Sequence, residues 1–360
     1  MSFSVPTANV LFVKASDSML KAITVLHQIV SKSMLSKVGH GLGKLKFGVF
    51  LPFYAFQSKI GQPEQQFSFI REIVLECEKL GYDSVWLDDH LMYNSWPILE
   101  CWTTLSALSS LTSKIRLGTM VSCNQHRTPA LLAKTAATLD ILSNGRLEFG
   151  IGAGAQEDEH IAYGFDFPKL RVRTERLSQA LEVITQLWTQ EKTTSHKKQH
   201  YTLKDAVCEP KPLQKPHPPI TVGGSGEKLT LKVTAKYADR FDWGFLPSVD
   251  VYKRKLKVLE NHCKASGRDF HEIERSCWPG GQVLIAKSQK ELSEKISKQK
   301  TANVTIEDFK KSTLTGTPDG CIERLQVYVD LGVTYFMIFF ADLPSTDGLR
   351  LFAEAVAEKL

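Results

Sequence analysis

A (β/α)8 barrel of the TIM type, within the α/β class, is the fold this sequence predicts, and three observations carry the prediction. From Leu45 onward, short apolar runs alternate strictly with amphipathic helical stretches. Strict alternation demands parallel strands, since a parallel neighbour is reached through a crossover helix. About 315 residues hold eight such units, which matches the count and size of a barrel. Glycine-rich turns also fall where several of these runs end, at Gly150, Gly152 and Gly154 and again at Gly223, Gly224 and Gly226. A doubly wound open sheet shares the alternation and stands as the alternative.

The elements follow in order. Lys46–Pro52 reads as a strand ending in proline, and Glu64–Gly81 as an amphipathic helix closed by glycine. Ser84–Asp89 is the second strand, and Pro97–Leu111 a helix with proline in its first turn. Ile115–Ser122 is the third strand. Thr128 caps the next helix, Thr128–Leu142, with Pro129 at its first position. Leu147–Ala153 is the fourth strand, followed by the helix Arg171–Trp188. Pro219–Gly224 and Arg240–Leu246 are the fifth and sixth strands, with helices Lys228–Ala238 and Val251–Ala265 behind them. Gln282–Ala286 is read as the seventh strand, and Tyr335–Phe340 as the eighth. Helices over Gln289–Ser297 and Pro318–Leu331 flank a charged linker, and Leu349–Leu360 closes the chain.

Two stretches stand outside this rhythm. Residues 1–44 carry one acidic residue, Asp17, against Lys14, Lys21, Lys32, Lys37 and Lys44. They read as an N-terminal extension with at most a short amphipathic helix. They lack the apolar core of a signal peptide, though a basic, acid-poor stretch can imitate a transit peptide, and Met34 offers a later start. The domain proper is 45–360. Residues 189–218, with the proline-rich run ending at Pro219, are too long for a simple connection and read as an insertion over one barrel mouth.

Composition excludes several function classes. With 42% hydrophobic and 23% charged residues the chain is an ordinary globular one. No apolar run reaches the roughly 18 residues of a membrane span. A net charge of +6 is spread along helices without a basic-aromatic block, so nucleic acid is not an expected partner. The seven cysteines are odd in number, widely spaced and free of C-x-x-C, which predicts neither zinc site nor disulfide framework and fits a reducing cytoplasm.

A barrel carries its chemistry at the C-terminal ends of its strands. The residues expected there are Pro52 to Tyr54, Asp88-Asp89-His90, Ser122 to Arg127, Gly152-Ala153-Gly154 with Glu157, Asp158 and His160, Gly223 to Gly226, Trp278 and Asp342. His90 can donate a proton near neutral pH or offset developing negative charge. The glycine turns can present amide N–H groups to an anion. Gly150-x-Gly152-x-x-Ala155 also fits a dinucleotide fingerprint, but that pattern belongs to the first strand of its domain and to an apolar helix start. Asp89, His90, His126 and His160 have no spacing that specifies a metal. No G-x-S-x-G or H-E-x-x-H is present.

The segments GYDSVWLDDHL, IRLGTMVSCNQHRTPALLAKTAATLDILSNGRLEFGIGAGAQEDEHIAYG, RVRTERLSQALEVITQLW and PPITVGGSGEKLTLKVTAKYADRFD resemble the bacterial luciferase-like superfamily, in particular its branch using the deazaflavin coenzyme F420. The resemblance implies a cytoplasmic, homodimeric oxidoreductase that moves hydride between a small organic substrate and F420. It implies that His90 acts on the central ring of the coenzyme and that Asp89 contacts it. A bulge over Met120–Cys123, with a non-proline cis peptide, would support the ring through Val121, Ser122 and Cys123. Ala153, Gly154 and Asp158 would bind the coenzyme, and Gly223, Gly224, Gly226 and Glu227 its phosphate. The sugar-phosphate dehydrogenases of this branch carry a catalytic Glu where Ala155 stands, so the resemblance does not extend to sugar-phosphate oxidation. No motif decides for a tetrahydropterin-linked reductase. An FMN-dependent luciferase-like monooxygenase is the alternative, and a non-catalytic flavin-binding barrel is the alternative of another class.

Overall fold

The computed structural model describes residues 45–53, 63–94, 96–194, 200–246, 248–300 and 304–360. The N-terminal extension and Tyr54 lie outside the described residues. The strands are β1 (Lys46–Phe50), β2 (Ser84–Leu87), β3 (Arg116–Thr119), β4 (Ser122–Cys123), β5 (Leu147–Gly152), β6 (Ile220–Gly223), β7 (Arg240–Asp242), β8 (Ser276–Cys277), β9 (Val283–Ile285), β10 (Leu314–Gly316) and β11 (Tyr335–Ile338).

The main sheet runs β7-β6-β5-β3-β2-β1-β11-β8, with every pairing parallel. Parallel bridges Arg240↔Glu274 and Phe245↔Trp278 join the line of β7 to that of β8 and close the cylinder. The third position is broken in two. Leu117 and Gly118 of β3 pair with Leu147 and Glu148, and after an interruption Ser122 and Cys123 of β4 pair with Ile151 and Gly152. The Met120–Val121 peptide in that interruption is cis.

The seventh strand is a correction. Gln282–Ala286 is not a strand of the main sheet: β9 pairs with β10 in a separate two-stranded sheet and meets the chain beyond β11 through a parallel bridge from Val283 to Phe340. That sheet packs beside its own small core of Leu284, Ala286, Leu292, Ile296 and Phe309. The barrel position belongs to β8, two residues long. An apolar run shows that a strand is buried and says nothing about which sheet buries it. The insertion is tied to both ends of the barrel. Thr193 and Ala206 exchange backbone hydrogen bonds of 2.9 and 3.0 Å, Tyr201 receives the Asn124 amide at 3.0 Å near the mouth, and Gln214 bonds the Leu147 carbonyl at 2.8 Å at the opposite end. The described parts thus form a strap along the barrel's flank that touches the mouth through Tyr201.

The caps behave as their residue types dictate. Thr128 Oγ1 accepts from the Leu131 amide with Pro129 at the first helical position, and Glu100 caps the helix Cys101–Ser109 through the Trp102 and Thr103 amides. Low in the barrel a polar–aromatic layer fills the interior. Trp86 Nε1 donates to Ser84 Oγ at 2.7 Å and Tyr335 Oη at 3.0 Å. The Arg240 guanidinium lies 3.8 Å over the Tyr335 ring and bonds Glu148 at 2.8 Å and Glu274 at 2.6 Å. Every donor of this buried layer has an acceptor beside it, which is the condition for burying charge. This layer separates two spaces: a cavity of about 300 Å³ lined by Lys46, Arg116, Glu148, Arg240, Glu274 and Tyr335, and a larger one at the strands' C-terminal ends.

Candidate active site

That space is a cleft of about 420 Å³, walled by Asp89 and His90, by Met120 to Cys123, by Gly152 to Gln156, by Glu159 and His160, and by Gly223 to Gly226. The ends of β2, β4, β5 and β6 therefore meet at one place, as expected from the sequence.

Each wall has a physical cause. After β2 the chain leaves the sheet through three polar residues. Asp88 accepts the Phe53 amide at 2.8 Å, and burial pushes its carboxyl up to about 6. Asp89 is buried and fully engaged: Arg127 forms a two-pronged pair with it at 2.7 and 3.1 Å, and the Cys123 amide donates to it at 3.0 Å. Its carboxylate thus anchors the β3–β4 interruption and the loop before the Pro129–Leu142 helix. Arg127 also reaches Glu100.

His90 faces the cleft with about a quarter of its side chain exposed. Its Nδ1 lies 3.1 Å from Glu159 Oε2. Glu159 is buried, and its other oxygen accepts the Leu91 amide and, at 3.3 Å, the Met92 amide. Burial disfavours the His90 imidazolium. The Glu159 hydrogen bond, with the charges of Asp88, Glu159 and Asp89, outweighs it and raises the imidazole above its ordinary value. Burial alone would raise Glu159, but the His90 bond and the backbone amides pull it down. Both shifts favour the ionic form of the pair, and Nε2 is the His90 atom left for the cleft.

The interruption between β3 and β4 pushes Val121 inward. A Cβ added to Gly152 or Gly223 would lie 2.7 or 2.8 Å from Val121 Cγ2, so these two glycines make room for that side chain. Gly154 has φ +79°, and a Cβ there would meet Cys123 Sγ at 3.0 Å and His160 Nε2 at 3.1 Å. Close approach inside the chain, not an anion alone, accounts for glycine at these positions. Ser122 Oγ takes the Trp102 indole N–H at 3.1 Å, which fixes β4 from outside.

Two expected site residues stand elsewhere. Asp158 is exposed and outside the cleft wall. The helix Glu157–Ala162 turns Glu159 and His160 inward, because their side chains find His90 and Cys123 there. Glu227 points toward the Val249–Ser266 helix, 3.2 Å from Arg254 and 3.5 Å from Lys255. Glu159 and Thr230 are among the wall residues that the sequence reading did not place at the mouth. An acidic run ahead of a six-residue helix gives no apolar period from which the inward member could be chosen.

At the β6 end, Lys255 Nζ donates to the Ser225 carbonyl at 2.6 Å and sets a cation under the Gly223–Gly226 turn. Among the described residues the Ser225 and Gly226 amides have no acceptor. Free amides and a nearby cation suit an anionic group.

Comparison with known proteins agrees with this geometry. The family described as luciferase-like monooxygenase matches residues 45–304. An F420-dependent glucose-6-phosphate dehydrogenase of Microbacterium testaceum is 27% identical over 309 residues, covering 79% of this chain and 90% of that protein. Among solved structures, an F420-dependent secondary alcohol dehydrogenase with an F420–acetone adduct superposes with a TM-score of 0.70 at 21% identity, over 87% of this chain and 98% of that one. The oxygenating constituent of 3,6-diketocamphane monooxygenase of Pseudomonas putida, in complex with FMN, gives a TM-score of 0.69 at 17% identity, over 88% and 99%. With the barrel, the mouth cleft and a match spanning most of the chain in hand, the protein belongs to the luciferase-like monooxygenase family.

Proposed function

We propose that the protein is an F420-dependent oxidoreductase that moves hydride between a small organic substrate and the coenzyme. The observation that carries this reading is His90, hydrogen-bonded through Nδ1 to buried Glu159 and opening Nε2 onto a cleft walled by backbone and glycine. The residues fit a deazaflavin: Val121, seated against Gly152 and Gly223, offers a ring support, and the Ser225 and Gly226 amides with Lys255 offer an anion seat. Bound there, the deazaflavin supplies a two-electron hydride carrier. Val121, Ser122, Cys123, Ala153 and Gly154 hold the ring, Gly223, Gly224 and Gly226 take the phosphate, and His90 presents a proton or a positive charge at Nε2. Asp89 acts indirectly, by fixing Cys123 and Arg127. Named relatives using F420 over most of the chain's length favour this coenzyme over FMN. Ala155 leaves the position without a carboxylate, which argues against sugar-phosphate oxidation.

The same reading makes the protein a cytoplasmic homodimer acting on a small molecule, without nucleic-acid or membrane partners. Among the described residues no helix is long and apolar enough to cross a membrane. Fluorescence titration of the full chain with F420 and, separately, FMN tests the proposal. Selective F420 binding that weakens in Gly223→Asp, where the new side chain would displace Val121 from the ring support, is expected. Selective FMN binding would establish the monooxygenase alternative, and binding of neither would remove the functional reading.

A further inference from the structure

Beside the cleft, three potential metal ligands from separate parts of the chain converge: Cys123 on β4, His126 in the loop after it, and His160 on the helix Glu157–Ala162. Their ligand atoms all lie within 4.8 Å of one another, and all three residues are buried. We propose that Cys123, His126 and His160 form a binding site for a divalent cation of the zinc class, independent of the coenzyme reading.

Four observations carry the assignment. Cys123 Sγ and His160 Nε2 are 3.4 Å apart. Two ligands of a tetrahedral zinc, at about 2.3 Å for sulfur and about 2.0 Å for nitrogen, stand roughly 3.5 Å from each other. His160 Nδ1 faces the Gln156 carbonyl. A carbonyl only accepts, so Nδ1 carries the proton and Nε2 presents its lone pair toward Cys123. An imidazole that donates its far N–H to a carbonyl is the arrangement that orients histidine on a metal. His126 is 92% buried by residue area, since only 8% of it is exposed, yet neither ring nitrogen has a hydrogen-bond partner among the described residues. A buried imidazole with two orphaned nitrogens calls for an occupant that can accept a lone pair. Gly154, finally, leaves the space: any side chain there would enter the gap between Cys123 and His160.

The surroundings suit a nitrogen–sulfur site. Phe165 stacks on His126 at 5.4 Å and Phe167 meets His160 edge-on at 4.8 Å, so the outer side is apolar. Cys123 and His160 belong to the cleft wall, which supplies the route of entry. Glu159 Oε2 stands 3.8 Å from His126 Nε2 and provides a negative charge at the site's edge. On binding, the metal–sulfur bond forms, the thiol S–H breaks and its proton leaves to solvent, with no change of oxidation state. The bound ion would tie the β4 end and the loop after it to the helix Glu157–Ala162, and so stiffen one wall of the cleft.

The experiment is titration of the metal-stripped full chain with Co²⁺, a visible reporter for zinc sites. We expect one ion per chain, a thiolate-to-cobalt charge-transfer band, and displacement by Zn²⁺. The band should vanish in Cys123→Ser, affinity should fall at least about 100-fold in His160→Phe and in His126→Phe, and His271→Ala should match the parent. X-ray absorption on the unmutated chain keeps the test valid if a variant fails to fold, and should find one sulfur and two imidazole nitrogens around the ion. A parent chain that gives no stoichiometric band, a first shell without sulfur, or a band that survives Cys123→Ser would overturn the proposal. The cluster would then be a plain S–H···N bond beside a packed imidazole.

Discussion

Replacing Glu159 with glutamine isolates the charge that sets the behaviour of His90. The substitution keeps the shape and keeps an oxygen for the Leu91 and Met92 amides, but removes the negative charge 3.1 Å from His90 Nδ1. At an effective dielectric constant of about 20, a full charge pair at that distance attracts by roughly 5 kcal/mol. The quarter-exposed imidazole and the cost of burying both ions reduce this to about 1.5–3 kcal/mol, the range for a hydrogen bond to a charged group. At 1.36 kcal/mol per tenfold, turnover near neutral pH is expected to fall by about 10- to 100-fold. The sign is fixed by the direction of the shifts. His90 is raised above 6.5, so its charged form persists below that value and is lost as pH rises through the higher folded value. Glu159 is lowered from 4.5, so its contribution is present above that value and lost as pH falls through the folded one. The pair is therefore fully stabilising between about 4.5 and 6.5. Glu159→Gln should move the alkaline limb of the pH–rate profile to lower pH, and the His90 NMR titration midpoint should move the same way without turnover. A fall in rate with both midpoints unmoved would make Glu159 a purely structural residue and refute the reasoning.

Other changes separate the roles around the cleft. His90→Ala should lower turnover by about 10²–10⁴-fold while coenzyme binding, read by fluorescence, changes little; unchanged turnover would favour the non-catalytic barrel. Arg127→Met strips Asp89 of its two-pronged partner and leaves a buried carboxylate with the Cys123 amide. A loss of about 3–5 kcal/mol in urea unfolding is expected, and a loss below about 1 kcal/mol would show that Asp89 takes a proton or finds water instead. Trp86→Ala should cost about 3–5 kcal/mol in the same assay by hollowing the floor of the barrel, with the cleft's ligand preference retained if that floor is only structural.

The barrel was legible because alternation is a periodic signal, and periodic signals survive single misplaced elements. The apolar run Val283–Ile285 looked more like a barrel strand than Ser276–Cys277, yet the count of eight held, because one strand was exchanged for another. What alternation lacks is pairing information. β8 holds its place through register with Tyr335 and Phe336 and through the bridge from Glu274 to Arg240, partners 59 and 34 residues away. A two-residue strand has no pattern of its own. It is visible only once its neighbours are known.

The mouth residues were legible by a weaker route, and their roles less so. Asp89 and His90 are adjacent in sequence and both follow β2, but in the irregular stretch after Leu87 they meet different partners. One carboxylate is consumed by Arg127 inside the wall while the imidazole opens on the cleft. The same logic separates Asp158, exposed, from Glu159, buried. In each pair the residue type suggested chemistry for both members, and the backbone direction allowed it for one. Cys123, His126 and His160 show the converse. Their spacings of 3 and 34 residues match no metal pattern, because no single element carries them. The site exists only where the broken third strand, the loop tied down by Arg127 and a six-residue helix arrive together, so folding creates the constellation and spacing cannot encode it.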